Sequence, residues 1–530
     1  MTKKTIRTEK PKTKYLTLAA IIMFTAILLS GTRNNEILYG WDDGEYFGDE
    51  SIQNLDVNAF FSNYYLGMYQ PLAVLSLSLN HQSAANNPMP YHTTNLLIHL
   101  INTMLVFYLF HRMTKRLEVA AIVAFLFAIH PMHVEAVAWI ATRSNALYAA
   151  FYLAALLSYV VYLEKRSSSY LLLTLLFFVL SCFSKSMAVT LPVLLVLFDY
   201  VYRRRFNRQA ILEKIPFFLI AVVFGLISIH AASQYGHIRN LAVTYHLDDR
   251  LVMIGYAVVF YLLRAIVPFN LSAVYAYPDK TDGWLATEYY LAIIPLLILI
   301  YWVIRYGKYR KELIFGLGFF LITISVVLPL VWSRMLMLAD RYTYIPYLGI
   351  FYLFALLYTK IREYRPEKIR KYKPVIVVAL LIYSIFLSVT TYQRIKVWKD
   401  APTMITDVIE KDRSDVDVAI GYFFRGNIRD LSQDMQGALS DFTRAIELNP
   451  AYTMAYNNRG IIRGSQQDFE GALEDFNKAI ALEPGYADAI YNRGNAHYYL
   501  QLFNEACSDW SQAELLGSKQ AEVIRKRYCR

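Results

Sequence analysis

Two adjacent carboxylates, Asp42 and Asp43, stand in the run Trp41-Asp42-Asp43-Gly44-Glu45, just after an apolar stretch from Tyr15 to Ser30. The acidic loop they open also carries Asp49, Glu50 and Asp56. Neighbouring like charges push one pKa upward, so one member of such a pair can act as a base while the other tunes it. The pair can equally hold a divalent cation, which leaves Asp42 and Asp43 as the candidate metal ligands. A solvated polar loop is the plain alternative. Position weighs against it, because the pair sits directly outside an apolar span.

A second set of ionisable residues falls at the ends of later apolar runs. It comprises His130-Pro131-Met132-His133-Val134-Glu135, Arg143, Lys185 in Ser184-Lys185-Ser186, and Arg341 in Ala339-Asp340-Arg341-Tyr342. A charged group inside a bilayer costs roughly 2.5–3.5 kcal/mol on insertion scales, so it faces a polar cavity or pairs with another charge. Each has a structural alternative. Lys185 and Arg143 can snorkel to lipid headgroups. The His130/His133/Glu135 cluster reads better as a hydrogen-bonded helix end than as metal ligands, since no second cluster supports it. Asn95, His99 and Asn102 recur at helical spacing and suit hydrogen bonding between helices.

Acids and bases gathered around one external cavity suit a membrane-borne substrate carrying a phosphate, such as a lipid-linked sugar phosphate. The departing phosphate needs positive charge and no proton, which Lys185, Arg143 and Arg341 can supply. The acceptor hydroxyl needs a base, which Asp42 or Asp43 can supply.

The elements that must position these groups are helices in a membrane. The 530 residues are 56% hydrophobic and 15% aromatic, with mean hydropathy +0.30, too apolar for a chain soluble throughout. Residues 1–399 hold 39 Lys+Arg against 22 Asp+Glu, whereas residues 400–530 hold 14 against 20. The overall +11 therefore belongs to the apolar part, where bases set membrane orientation, and nucleic acid is disfavoured as a partner.

Eleven apolar runs approach the ~20 residues a bilayer requires. They cover roughly 15–30, 93–110, 118–129, 145–163, 170–183, 187–202, 215–232, 289–304, 313–331, 347–358 and 374–391. With a retained first helix and the amino terminus inside, 27 bases fall on the tail's side against 12 outside. Those inside bases include Lys3, Lys4, Arg7, Lys10, Arg203–Arg205, Lys308 and the run from Lys360 to Lys373. A single crossing by 251–267 would invert every later basic loop, so that segment is expected to be re-entrant or interfacial; 71–79 is too short to cross and is expected to lie in the interface. Three cysteines, Cys182, Cys507 and Cys529, match no zinc motif; Cys507 and Cys529 can pair only if the final segment folds back on the last helix, which the sequence does not decide, and all three are taken as free thiols.

From Val418 a 34-residue period takes over: Gly426/Gly460/Gly494, Ala438/Ala472/Ala506, Phe442/Phe476/Trp510 and Ala445/Ala479/Ala513, with Pro450 and Pro484 closing two units. This is a tetratricopeptide array of three repeats, about 419–452, 453–486 and 487–518, preceded by a helix at 398–412 and followed by a polar capping helix at 519–530. Two residues before the recurring glycine, Asn458 and Asn492 point into the concave face. Their amides can hold an extended polypeptide or bridge neighbouring helices. Phe424 takes the same place in the first repeat.

Trp41-Asp42-Asp43, Tyr69-Gln70-Pro71-Leu72, Tyr91-His92-Thr93-Thr94-Asn95, the run His130 to Trp139, Ser184-Lys185 and Asp340-Arg341-Tyr342 together resemble the transmembrane and tetratricopeptide-repeat (TMTC-like) protein O-mannosyltransferases, in their bacterial form. That family looks like the GT-C glycosyltransferases. The resemblance implies Asp42 as base, Asp43 as its partner, Glu135 in the second motif with His130 and His133, and Lys185 and Arg341 near the phosphate of a polyprenyl phosphate sugar. The expected architecture is all-α: a polytopic helix bundle over 1–397, then a repeat α-solenoid over 398–530. The expected protein lies in the inner (cytoplasmic) membrane with its repeats on the periplasmic side.

The expected function is inverting transfer of a sugar, mannose on the resemblance, to a hydroxyl of an exported protein. Alternatives are the same chemistry on a lipid or cell-envelope glycan, or a membrane-anchored scaffold that docks another protein on its repeats. Eleven spans exceed what tethering needs, and no inverted repeat suggests a transporter.

Overall fold

The computed structural model describes residues 11–39, 41–234, 239–240, 245–278, 280–305, 310–329, 332–333, 336–363, 373–411 and 415–529. Lys3, Lys4, Arg7, Lys10, Lys308 and the 364–372 part of the basic run lie outside them. The described chain is almost wholly helical. Its one ladder pairs Arg239–Asn240 with Trp332–Ser333.

The eleven apolar runs fall on helix over most of their length; in 313–331 the helical part ends at Val327, and 330–331 lie outside the described residues. Among the described residues six helices are long and apolar enough to cross a membrane: Lys12–Asn34, Pro88–Thr114, Ile140–Lys165, Arg208–Gln234, Thr287–Arg305 and Val375–Val397. A seventh crossing results if Leu117–Ile129 and Pro131–Ala138, bent by 59° at His130, form one span. The protein is thus a multi-pass membrane protein, although fewer of its helices than the expected eleven meet that test unaided. Ser168–Ser184 and Ser186–Val201 are apolar but shorter. The segment at 251–267 is not among the candidates. Its helix Leu247–Ile266 is amphipathic, burying Met253, Ala257 and Tyr261 while Leu251 and Leu263 stay exposed.

Two compact units divide the chain. The first runs to Leu38 and resumes over Asp42–Asp400, and the second groups Tyr39–Trp41 with the chain from Ala401 onward. Trp398 belongs to the first unit, because its ring stacks on Trp139 at 5.4 Å; the helix expected to start at 398 begins at Ala401.

In the second unit the helices pair as Asp415–Leu431 with Met435–Leu448, Thr453–Ser465 with Phe469–Leu482, and Ala487–Tyr499 with Phe503–Leu515. A Cβ at Gly426, Gly460 or Gly494 would stand 2.6–2.7 Å from the ring of Phe442, Phe476 or Trp510. The recurring glycine therefore sets how closely the two helices of a repeat approach. Each repeat is further locked by a bidentate ion pair: Arg425–Asp441, Arg459–Asp475 and Arg493–Asp509, with N···O distances of 2.6–3.0 Å. Both partners recur at the 34-residue period, a signal overlooked in the sequence.

The final helix, Lys519–Tyr528, packs on the last repeat, and Cys529 forms a disulfide with Cys507. This corrects the expectation of free thiols. The helix folds back far enough to bring the two Cα atoms within 5.7 Å, a return that no local pattern announces. Cys182 is the buried free thiol.

Candidate active site

The carboxylate pair opens a short helix, Asp42–Gly48, and its two members have different surroundings. Asp43 is fully buried; its Oδ2 accepts from the Leu38 N–H at 3.0 Å and its Oδ1 from the Ala141 N–H at 2.8 Å. Both oxygens accept from backbone, so Asp43 ties Leu38 to the turn Ile140–Thr142. Burial pushes its carboxyl up to about 7, against the pull of those two N–H groups. Asp42 is left half-buried beside them. Burial raises its carboxyl to about 6; Arg341 and Lys185 draw it down, and Glu45 and Glu135 push it up. Asp42 thus shares one electrostatic environment with the residues of three distant motifs.

Glu135 and Arg341 meet across 206 residues of sequence. Glu135, 1% exposed, accepts the Arg341 backbone N–H at 2.8 Å through Oε2 and pairs with the guanidinium Nη1 through Oε1. The guanidinium lies over the Trp139 ring at 5.4 Å. Among the described residues Glu135 is its sole hydrogen-bonding partner, which leaves N–H donors for a ligand. Burial disfavours the cation, yet Glu135, Tyr342 and Asp42 together hold the guanidinium above its ordinary range. The turn that carries it is fixed by Asp340, which accepts from Tyr275 Oη at 2.9 Å and pairs with Arg394 at 3.2 Å.

Lys185 caps the end of Ser168–Ser184, is 5% exposed, and places Nζ 3.4 Å from Ser144 Oγ. Arg143, next to Ser144 in sequence, does something else. Arg143 is fully buried and donates through Nε to Asn95 Oδ1, through Nη1 to Ser76 O and Asn80 Oδ1, and through Nη2 to Tyr91 O. At least four of its five donors cross-link the helices Pro71–Ala84 and Pro88–Thr114, which leaves at most one for the phosphate it is expected to bind.

His130 and His133 are also structural in their contacts. The Met132 N–H donates to His130 Nδ1 at 3.3 Å, and His133 Nδ1 donates to Phe127 O at 2.8 Å. Both rings pack among Tyr347 and Phe351. Among the described residues no three His, Cys, Asp or Glu side chains cluster as metal ligands, and Asp43 has no oxygen uncommitted for a shared cation.

Asn95, His99 and Asn102 bridge helices as expected: Asn95 Nδ2 donates to Trp139 O, His99 Nδ1 lies 2.6 Å from Tyr344 Oη, and Asn102 Nδ2 donates to Ala146 O. In the repeats, Asn458 Nδ2 donates to Asn427 Oδ1 at 2.8 Å and Asn492 Nδ2 to Asn457 Oδ1 at 3.1 Å. Both amides link neighbouring helices, the alternative weighed against peptide binding.

Fold and site define a multi-pass helical membrane protein that carries a tetratricopeptide array and an Asp–Glu–Arg–Lys polar site. The resemblance to the TMTC protein O-mannosyltransferases is borne out. The chain is 33% identical over 30% of its length, and 19% of the relative's, to "Protein O-mannosyl-transferase Tmtc1" of Drosophila melanogaster. It is 24% identical over 72% of its length, and 54% of the relative's, to "Protein O-mannosyl-transferase F38B6.6" of Caenorhabditis elegans. It thus spans about half or less of the curated relatives it matches. The family described as "TPR repeat" matches residues 462–501. Among solved structures, the archaeal oligosaccharyltransferase AglB from Archaeoglobus fulgidus aligns at TM-score 0.41 and 12% identity, over 72% of this chain and 56% of that one. That likeness is too loose to transfer a residue role.

Proposed function

We propose that this protein is an inverting membrane glycosyltransferase that moves a sugar, mannose by its relatives' names, from a polyprenyl phosphate to a hydroxyl of an exported protein. The observation that carries the reading is Asp42: a half-buried carboxyl raised to about 6, in the field of Arg341 and Lys185. A general base works best with a pKa near the operating pH. At neutral pH Asp42 is largely ionised and takes the proton of the acceptor hydroxyl as its oxygen attacks the anomeric carbon. The bond to the carrier phosphate breaks on the opposite face, and the phosphate leaves with its electron pair. It needs no proton, and Lys185 with the free donors of Arg341 stabilises its charge. Asp43 and Glu135 act as positioning residues, the first for Asp42 and the second for Arg341.

The Cys507–Cys529 disulfide supports a periplasmic setting for the repeats, since cytosolic thiols stay reduced. A repeat array suits the capture of a protein acceptor. Asn458 and Asn492 can contact it only through amide groups their inter-helix bonds leave over. The test is to incubate purified protein with a panel of labelled polyprenyl phosphate sugars and an exported acceptor protein. Transfer from one of them with inversion at the anomeric carbon is expected; transfer from none overturns the reading.

A further inference from the structure

An open surface cavity of about 650 Å³ lies at the turn between the helices Arg143–Lys165 and Ser168–Ser184, lined among others by Tyr162, Arg166, Leu171, Arg208, Leu212 and Glu213. Arg143 and Lys185 mark the far ends of these helices. The first has 23 residues, which puts the cavity roughly 34 Å from the polar site at the other end. It plays no part in the chemistry proposed there.

Two of its lining residues, Tyr162 and Glu213, belong to an ionic network that extends behind them. Lys214 pairs with Asp199, Arg204 with Glu213 at 2.6 Å, and the hydroxyls of Tyr159 and Tyr162 donate to Asp199 and Glu213, both at 2.6 Å. Two acids and two bases cancel, so the Glu213 carboxylate at the wall is already neutralised. Arg166 and Arg208 are different: both are exposed, and among the described residues neither has an ion pair. The cavity therefore presents two uncompensated guanidiniums. Beside them lie Leu171 and Leu212, the latter 51% exposed, then Ile211 and Ile215 on the membrane-crossing helix Arg208–Gln234. Only 17% of that helix's most apolar stretch is buried, so its surface faces lipid.

Two guanidiniums next to a lipid-facing apolar wall fit a phosphate ester that carries acyl chains. We propose that this cavity binds the headgroup of an anionic glycerophospholipid, with Arg166 and Arg208 on the phosphate and the chains over Leu212 and the exposed face of Arg208–Gln234. Guanidinium matches phosphate bidentately, and the volume lies in the range of small-ligand sites. A soluble phosphate ester shares the headgroup chemistry but leaves the apolar wall bare.

The test is native mass spectrometry of the full chain in detergent, titrated with phosphatidylglycerol, phosphatidylcholine or glycerol 3-phosphate. Phosphatidylglycerol is expected to bind at least about tenfold more tightly than the other two. R166Q/R208Q should abolish that preference, and L212Q should weaken phosphatidylglycerol alone; R203Q/R205Q, the same charge change outside the lining, should retain it. Equal losses in the two double variants would overturn the cavity as the site. Glycerol 3-phosphate binding as tightly as the diacyl lipid would overturn the assignment to lipid.

Discussion

The Asp43 carboxylate accepts the Ala141 backbone N–H at 2.8 Å while its other oxygen takes the Leu38 N–H. This bond joins the first acidic motif to the turn that follows the second, and it separates the roles of two adjacent aspartates. Asp43→Asn keeps one acceptor but turns an amide N–H toward a backbone N–H. A buried donor left unsatisfied costs ~1–3 kcal/mol. Thermal unfolding should show a lower Tm for Asp43→Asn and an unchanged one for Asp42→Asn. An equal shift in both would mean that Asp43 is no anchor.

Glu135 and Arg341 should behave as one unit. Removing one partner of a buried pair costs roughly 3–5 kcal/mol because it strands the other charge. Glu135→Gln and Arg341→Met should each weaken donor binding, and the double variant should be far less impaired than the two effects added. Strict additivity in a double-mutant cycle on donor KM would show that the two act separately.

Activity should carry the titration of Asp42. Its carboxyl is raised to about 6 in the folded protein, and the base must be ionised. The logarithm of kcat/KM should therefore rise with unit slope below pH ~6 and level off above it, the reverse of an essential acid. A profile flat from pH 5 to 7 would exclude Asp42 as the titrating base.

Topology offers an independent check. A reporter fused after Asn207 should read inside and one at the carboxyl terminus outside. Cys507 and Cys529 should resist alkylation in intact cells until a reductant is added. A carboxyl-terminal reporter reading inside would remove the repeats from the compartment where the proposed acceptor is found.

Local signals carried much of this architecture. The 34-residue period identified the helix pairs, and the apolar runs proved helical over most of their length. Asp42 and Arg341 were singled out as charges at span ends, and they do share one environment. What stayed hidden depends on contacts distant in sequence. Arg143 reads as a membrane-end cation until Asn80 and Ser76, more than 60 residues away, engage its Nη1. Cys529 reads as a stray thiol until the last helix folds back. The recurring Arg425/Arg459/Arg493 and Asp441/Asp475/Asp509 were in plain view at the repeat period, but as charges they read as solvated surface.

The most direct test is transfer by Asp42→Asn with a polyprenyl phosphate sugar, alongside donor binding to the same preparation. The substitution keeps size and polarity and removes the base. Turnover should fall by about 10²–10⁴-fold while donor affinity and Tm stay at wild-type values. Near-normal turnover would contradict the account and move the base to another residue.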